Sequence, residues 1–122
     1  MTTTAQQKTQ LGMYGETCAA RHLTRNEGMV VLDRNWRCDL GEIDLVLRDR
    51  HVLVVCEVKT RTSERFGSAL EAVSEGKAAR LRVLAHRWCE DHDVRPGDLR
   101  IDLVGVLLDG PRIVRLDHSR GI

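Results

Sequence analysis

The chain has 122 residues, of which 42% are apolar and 30% charged, and its formal net charge is +1. This length suits one domain and is too short for two ordinary ones, while the apolar fraction supports a single core and excludes a wholly disordered chain. The near-neutral charge neither identifies nor excludes a nucleic-acid-binding protein, because an acidic catalytic cluster would cancel part of a basic surface.

Membrane and metal signals are weak along the whole sequence. No apolar run approaches the roughly 20 residues that a membrane-spanning helix needs, and Met1 to Gln10 lack the apolar stretch of a secretion signal. We therefore expect a cytoplasmic protein without membrane contact. The cysteines form no CxxC pair and the histidines no metal-ligand spacing, which argues against a zinc ribbon or a redox dithiol and favours buried free thiols.

Two helices and five strands are predicted in chain order. A flexible polar stretch (residues 1–11) precedes a helix from Met13 to about Glu27, and a second helix runs from about Ser74 to His92 after a polar loop from Thr62 to Gly67. β-branched or alternating runs predict strands at Met29 to Leu32 (continuing through the polar Arg34 to Arg37 stretch or ending before it), Gly41 to Arg48, His51 to Thr60, Leu99 to Leu107 and Arg112 to Leu116.

This order, α-β-β-β-α-β-β, predicts the fold class. It indicates an α/β protein with a compact mixed β-sheet flanked by helices, in one domain over residues 12–117 followed by a loose C-terminus at residues 118–122. Periodicity predicts a buried stripe on the second helix at Leu81, Leu84, Ala85 and Trp88. In the second strand, alternation predicts one shared face for Ile43, Leu45 and Leu47.

Two adjacent strands carry an unusual set of charged residues. Because side chains alternate along a strand, Glu57 and Lys59 share one face with Val55. If residues 49–50 form a two-residue turn, Asp44 pairs with Val55 and lies on the face of Glu57, roughly 7–8 Å away. A four-residue loop keeps Asp44 on this face, whereas a three-residue loop turns it to the other.

These three residue types suit a metal-dependent hydrolytic site. An ionised Glu57 after an apolar run costs several kcal/mol unless it is paired or bound to a cation. Two carboxylates and a lysine on one face are the groups that hold a hard divalent cation and a polarised water. The alternative is that Glu57 and Lys59 form a plain surface pair at the end of a strand.

A further carboxylate, Glu16, lies on the first predicted helix. It shares a stripe with Met13, Ala20 and Leu23 at helical spacing, so we expect it to point toward the sheet. The alternative is a carboxylate that stabilises the helix N-terminus through the helix dipole, worth a few tenths of a kcal/mol.

Taken together, these motifs resemble the YraN-like family of bacterial proteins. The resemblance covers roughly Gly12 to Val106, in the family's order. Its matching segments are Gly15-Glu16 with Ala19-Ala20 and Leu23, Arg34-Asn35-Trp36-Arg37, Gly41-Glu42-Ile43-Asp44-Leu45, Glu57-Val58-Lys59-Thr60-Arg61, Phe66-Gly67, Ala72-Val73, Lys77 and Arg100-Ile101-Asp102. One departure is Ile101, where the family usually has an aromatic residue; both suit a core.

The resemblance implies a fold and an activity. The family is usually described as endonucleases of the restriction-endonuclease-like fold, which Holliday-junction resolvases and type II restriction enzymes share. On this resemblance the domain is nuclease-like, and Glu16, Asp44, Glu57 and Lys59 match the catalytic positions of that superfamily. Enzymes of this fold often dimerise, and the predicted strand after Gly28 or the one at Arg112 to Leu116 offers a sheet edge for a homodimer.

We therefore expect a metal-dependent endonuclease that hydrolyses phosphodiester bonds of DNA, with branched or structured DNA as one candidate substrate. Asp44, Glu57 and the Val58 carbonyl are the expected ligands of Mg²⁺ or Mn²⁺, with Lys59 beside the attacking water and Glu16 behind. The expected nucleic-acid-binding residues are Arg34, Arg37, Arg61 and Lys77. Few aromatic residues are present, which favours backbone over base recognition.

Two other functions fit the sequence. The first is a nucleic-acid-binding or assembly protein that keeps the fold without significant catalysis. The second is a plain globular domain whose charges are structural. Intact Asp44, Glu57 and Lys59 favour the nuclease over the first of these, because a site that has lost its function tends to lose its lysine or a carboxylate.

Overall fold

The computed structural model describes residues 5–62 and 75–122, with side chains from residue 10 onward. The helices are α1 (Ala5–Arg25) and α2 (Glu75–His92). The strands are β1 (Val30–Cys38), β2 (Gly41–Asp49), β3 (Val52–Arg61), β4 (Asp98–Asp109) and β5 (Arg112–Ser119). The predicted order of elements is confirmed. The predicted loop beyond Thr62 and the motif residues Phe66-Gly67 and Ala72-Val73 lie outside the described residues.

One mixed sheet carries all five strands in the order β1-β2-β3-β4-β5. Neighbouring strands are antiparallel except β3 and β4, which are parallel. The parallel pair follows from the connection, since α2 lies between β3 and β4 in the chain and a crossover of this kind returns the next strand in the same direction. The predicted mixed sheet flanked by helices is therefore confirmed.

The two helices pack on different core clusters. Cys18, Ala19 and Leu23 of α1 pack with Leu45, Leu47, Val54, Cys56, Val58 and three residues of β4 (Val104, Val106, Leu108). The predicted stripe of α2 (Leu81, Leu84, Ala85 and Trp88) is buried as expected and packs with Ile43, Val46, Leu53, Val55 and Ile101. All four cysteines are free, and Cys18 and Cys56 are the buried ones.

Neither helix of the described chain is both long enough and apolar enough to cross a membrane.

Both chain ends differ from the prediction. α1 begins at Ala5 rather than Met13, so residues 5–11 are helical, and Leu11 packs against the core. The absence of proline and the good helix formers in this stretch favour that extension. At the other end β5 reaches Ser119, and the N–H of Ile122 donates to the Ile101 carbonyl at 2.9 Å. Backbone pairing to β4 therefore extends beyond residue 117, where the sequence predicts the end of the domain.

Candidate active site

The β2–β3 ladder stops where the predicted site begins. Asp49 pairs with Val52, so the turn is Arg50-His51 and not Asp49-Arg50, and the last pair is Leu45 with Cys56. Both strands continue beyond this pair, and β3 stays paired with β4. The predicted pairing of Asp44 with Val55 is therefore wrong.

Compared with the predicted register, the observed turn lies one residue later in the chain, so the ladder positions of both strands shift by one residue. Two such shifts cancel in the alternation of side chains, so the relation of Asp44 to the face of Glu57 survives. In the observed register Asp44 is next in line opposite Glu57, at the point where the ladder ends. Its carboxylate takes the place of a backbone partner, because Asp44 Oδ2 accepts the Val58 N–H at 2.8 Å.

The sheet is irregular beside Asp44. Ile43 packs with the α2 cluster and Leu45 with the α1 cluster, so the prediction that they share one face is wrong. The irregularity coincides with Asn35 of β1, which adopts the left-handed conformation (φ 51°) between the partners of Leu45 and Ile43. A residue in that conformation interrupts the regular alternation of a strand. Asp44 therefore lies at the point of β2 where the regular alternation of side chains between the α1 face and the α2 face is interrupted.

A glycine brings α1 close to β3. A Cβ atom at Gly15 would lie 1.8 Å from Thr60 Oγ1, so no other residue fits there without movement. This close approach places the next residue, Glu16, beside the end of the β2–β3 ladder. Glu16 Oε2 is buried and has no hydrogen-bond partner among the described residues. Burial raises the pKa of Glu16, and a hydrogen bond from Asn35 and the charge of Arg34 only partly offset this.

The carboxylates repel one another strongly. Burial, followed by the charge of Glu57, raises the pKa of Asp44 to about 7, although the Val58 N–H acts in the opposite direction. The charges of Glu16 and Glu42 raise it further. An aspartate in water has a pKa near 3.9. The Asp44 carboxyl group therefore exchanges its proton near neutral pH, and a cation beside it would favour the ionised form.

Two lysines face this acidic group. Lys77 Nζ, from the first turns of α2, lies 2.8 Å from Glu57 Oε1, and Lys59 Nζ lies 4.0 Å from the same oxygen. Burial and the neighbouring Lys77 ammonium lower the pKa of Lys59. Burial acts to lower the pKa of Lys77 as well, but the hydrogen bond and charge of Glu57 prevail and raise it. Lys77, expected only as a nucleic-acid contact, is thus part of the site.

The donor chemistry fits a hard divalent cation such as Mg²⁺ or Mn²⁺. Among residues 5–62 and 75–122, no three His, Cys, Asp or Glu side chains are arranged as a ready metal site. The expected set needs fewer, since it combines Asp44, Glu57 and a backbone carbonyl. Because the N–H and C=O of one strand residue point to the same edge, the Val58 carbonyl faces the gap that holds Asp44. The buried Glu16 Oε2, which has no hydrogen-bond partner among the described residues, would also be stabilised by a nearby cation.

The other expected basic residues lie around this cluster. Arg34 donates from Nη2 to Thr17 Oγ1 at 3.1 Å, next to Glu16. Arg61 is half-buried at the end of β3. Arg37 is different, because its side chain is 77% exposed and forms an ion pair with Glu42 at 3.4 Å.

The structure thus brings Glu16, Asp44, Glu57, Lys59 and Lys77 together and leaves Arg37 at the surface. Asn35 has no role in the site predicted from the sequence, yet it hydrogen-bonds to Glu16 and adopts a positive φ within β1. Its signal was available in the sequence, since Asn is one of the few residues that readily adopt a positive φ.

Comparison with known proteins shows the family. The profile described as "Uncharacterised protein family UPF0102" matches residues 15–106. A UPF0102 protein of Nocardioides sp. is 60% identical over 115 residues, covering 94% of this chain and 92% of the relative. UPF0102 proteins of Frankia alni (54% identical; 93% of this chain and 94% of the relative) and Streptomyces coelicolor (55%; 92% and 87%) are similar to it as well. These names state no activity, so the activity implied by the resemblance to YraN-like proteins stays a prediction. The matched segment contains all of the site residues and neither chain end. The chain therefore belongs to the UPF0102 family.

Proposed function

We propose that this protein is a metal-dependent endonuclease that hydrolyses phosphodiester bonds of DNA. One observation carries the proposal: three acidic side chains (Glu16, Asp44 and Glu57) gather beside two lysines, and the pKa of Asp44 is raised to about 7. A plain structural cluster would pair its charges fully, whereas this one keeps a buried carboxylate oxygen without a partner among the described residues.

Asp44, Glu57 and the Val58 carbonyl would hold Mg²⁺ or Mn²⁺. When bound, such an ion polarises a phosphate oxygen and lowers the pKa of a coordinated water. Lys59 lies on the same strand two residues after Glu57 and would orient the attacking water or stabilise negative charge on the phosphate. Glu16 would steady this arrangement from α1 through its buried oxygen.

Lys77 contacts the same Glu57 carboxylate that would hold the ion. Its ammonium lies 2.8 Å from Glu57 Oε1, so it neutralises Glu57 when no metal is present. If Glu57 held a cation, the long Lys77 side chain would place its ammonium beside the phosphate, where a positive charge is also needed.

The same ion pair favours a second candidate function. A Glu57 held by Lys77 is a satisfied carboxylate, as expected for a nucleic-acid-binding protein that keeps the fold without significant catalysis. The two functions differ in their demand for metal. Only the nuclease needs Asp44 ionised and bound to a cation during the reaction.

A cleavage assay decides between the two. Branched, nicked, linear duplex and single-stranded DNA are incubated with Mn²⁺ or Mg²⁺ and the wild type, Asp44→Asn or Lys59→Ala, with Asp91→Asn on the exposed end of α2 as the matched control. We expect cutting by the wild type and the control, and a loss of at least 100-fold in both site variants. Equal cutting by all four proteins would mean that the activity belongs elsewhere, and DNA binding without cutting would favour the second function.

A further inference from the structure

A basic groove runs along α1 and leads outward from the acidic cluster. It has a volume of about 340 Å³ and lies between α1 and β1. Three arginines (Arg21, Arg25 and Arg34) and two threonines (Thr17 and Thr24) line it, and no acidic side chain of the described chain does. Guanidinium and hydroxyl groups in an open groove are the donors that proteins use to hold phosphate oxygens.

The groove begins at the site. Thr17 follows Glu16 directly, and Arg34 joins the two elements by donating to Thr17 Oγ1 at 3.1 Å. Arg34 also lies close enough to Glu16 for its charge to act on that carboxyl group. The three arginines therefore continue the site outward and do not form a separate patch.

Helical spacing sets the direction and length of the groove. Thr17, Arg21 and Arg25 follow each other at four-residue intervals, so they lie along one side of α1, about 6 Å apart. From Glu16 to Arg25 the helix rises by about 14 Å. One DNA strand advances about 3.4 Å per nucleotide along the duplex axis, so this length corresponds to about four nucleotides.

No carboxylate of the described residues neutralises the charges of Arg21 and Arg25. Several other arginines, among them Arg87, Arg100 and Arg120, form ion pairs with carboxylates. Arg21 and Arg25 are exposed, and no carboxylate of the described residues lies within ion-pair distance of either. The guanidinium groups of Arg21 and Arg25 are thus accessible to a ligand in solution.

We propose that this groove binds the sugar–phosphate backbone of duplex DNA on one side of the bond to be cut. The inference rests on the proposed function and extends it, because it states which surface carries the substrate and for how far. Phosphates near Glu16, Asp44 and Glu57 meet repulsion, so the attraction that holds the DNA has to come largely from cations outside the acidic cluster.

The test is the salt dependence of DNA binding. The dissociation constant of a fluorescent linear duplex is measured by anisotropy in EDTA across a range of KCl concentrations, for the wild type and for Arg21→Gln/Arg25→Gln. Each phosphate contact contributes about 0.9 to the slope of log K against log salt. We expect the double variant to lose about 1.8 of this slope, by the same rule, and at least tenfold in affinity at moderate salt.

Two controls separate a contact from a change in net charge. Arg48→Gln/Arg95→Gln removes the same two charges at exposed positions outside the groove and should keep the wild-type slope. Arg21→Lys/Arg25→Lys keeps the charges and should restore most of it. Thermal unfolding checks that each variant folds as the wild type does.

The outcomes distinguish this proposal from the proposed activity. DNA cutting by the wild type, with equal salt slopes for the groove variant and its charge control, would overturn the groove and leave the nuclease standing. Loss of slope confined to the groove variant, without any cutting, would support the groove and count against the nuclease. Absence of DNA binding by the wild type, or tighter binding of a duplex RNA of the same sequence, would overturn the assignment of the groove to DNA.

Discussion

Two aspartates in neighbouring parts of the sheet respond to burial in opposite ways. Asp102 of β4 is fully buried, yet its pKa is lowered: burial acts to raise it, but the hydrogen bonds from Arg100, His118 and the Gly121 N–H prevail. Asp44 of β2 is less buried, and its pKa is raised to about 7. The Val58 N–H donates to Asp44, whose charged neighbours include Glu57 and Glu16. Partners, more than depth, decide whether a buried carboxylate is charged.

The region around Asp102 is built for stability. Arg100 donates to both of its oxygens, at 2.8 and 3.0 Å, and to Asp49 at 3.1 Å. His118 Nε2 lies 2.8 Å from the carboxylate, and the Gly121 N–H donates to it at 3.1 Å. This network joins β2, β4, β5 and the C-terminus. The Asp44 region instead leaves carboxylates facing one another, which is the arrangement expected if the proposed cation site is correct.

Removing the Asp102 carboxylate should have the largest effect on stability. Asp102→Ala leaves the Arg100 guanidinium and His118 without their buried acceptor, so we expect a loss of about 3–5 kcal/mol in the free energy of unfolding. Urea denaturation at neutral pH measures it. The control is Asp117→Ala, which removes a half-exposed ion pair with Arg115 and should cost less than about 1 kcal/mol. Similar losses in the two variants would mean that the Asp102 network is no more than a surface pair.

Removing the Asp44 charge should act in the other direction. The folded protein holds the proton on Asp44 up to about pH 7, whereas the unfolded chain releases it near pH 3.8. The stability that this proton contributes is therefore complete below pH 3.8 and is lost as the pH rises to about 7. The folded and unfolded pKa values of Asp44 differ by about 3 pKa units, and one unit corresponds to about 1.36 kcal/mol. In metal-free buffer at pH 8, Asp44→Asn should therefore be more stable than the wild type by up to about 4 kcal/mol.

Two further measurements, the pH dependence of stability and the effect of added Mg²⁺, control this prediction. Chemical denaturation across pH 4 to 8 should show the gain of Asp44→Asn shrinking toward acid pH. Addition of Mg²⁺ at pH 8 should stabilise the wild type and leave the variant nearly unchanged, because a ligand that binds only the folded state stabilises it. A variant that is less stable than the wild type at every pH would contradict the raised pKa.

The fold was predictable because its signals are local. Alternating and β-branched runs predicted the strands, and the helical stripe ending in Trp88 predicted the packing of α2. The turn was misplaced by one residue because neither Asp49-Arg50 nor Arg50-His51 contains the glycine or asparagine that identifies a hairpin turn. Even so, Asp44 kept its relation to Glu57, since the shift applies to both strands.

Long-range pairing was beyond the sequence. The contact of Lys77 with Glu57 depends on how α2 sits over the sheet, and no spacing rule gives that. The same holds for Asp102 and His118, whose contact depends on the register between β4 and β5. The length of β1 was uncertain because the strand is polar. The Trp88 Nε1–H donates to Asp33 at 2.9 Å, although the two residues are 55 positions apart in the chain.

The smallest effect concerns how near α1 comes to the site. In Gly15→Ala the new Cβ would meet Thr60 Oγ1 at 1.8 Å, so α1 has to move away from β3 and carry Glu16 with it. We expect a loss of about 1–3 kcal/mol in the free energy of unfolding, as for other overpacked positions. Gly12→Ala, three residues earlier in the same helix, is the control: no atom lies within 4 Å of its Cβ. That change should stabilise the protein by roughly 0.5–1 kcal/mol, since alanine is the better helix former. Thermal or urea unfolding of both variants gives the two signs, and destabilisation by both, or by neither, would mean that the contact between Gly15 and Thr60 does not set the position of Glu16.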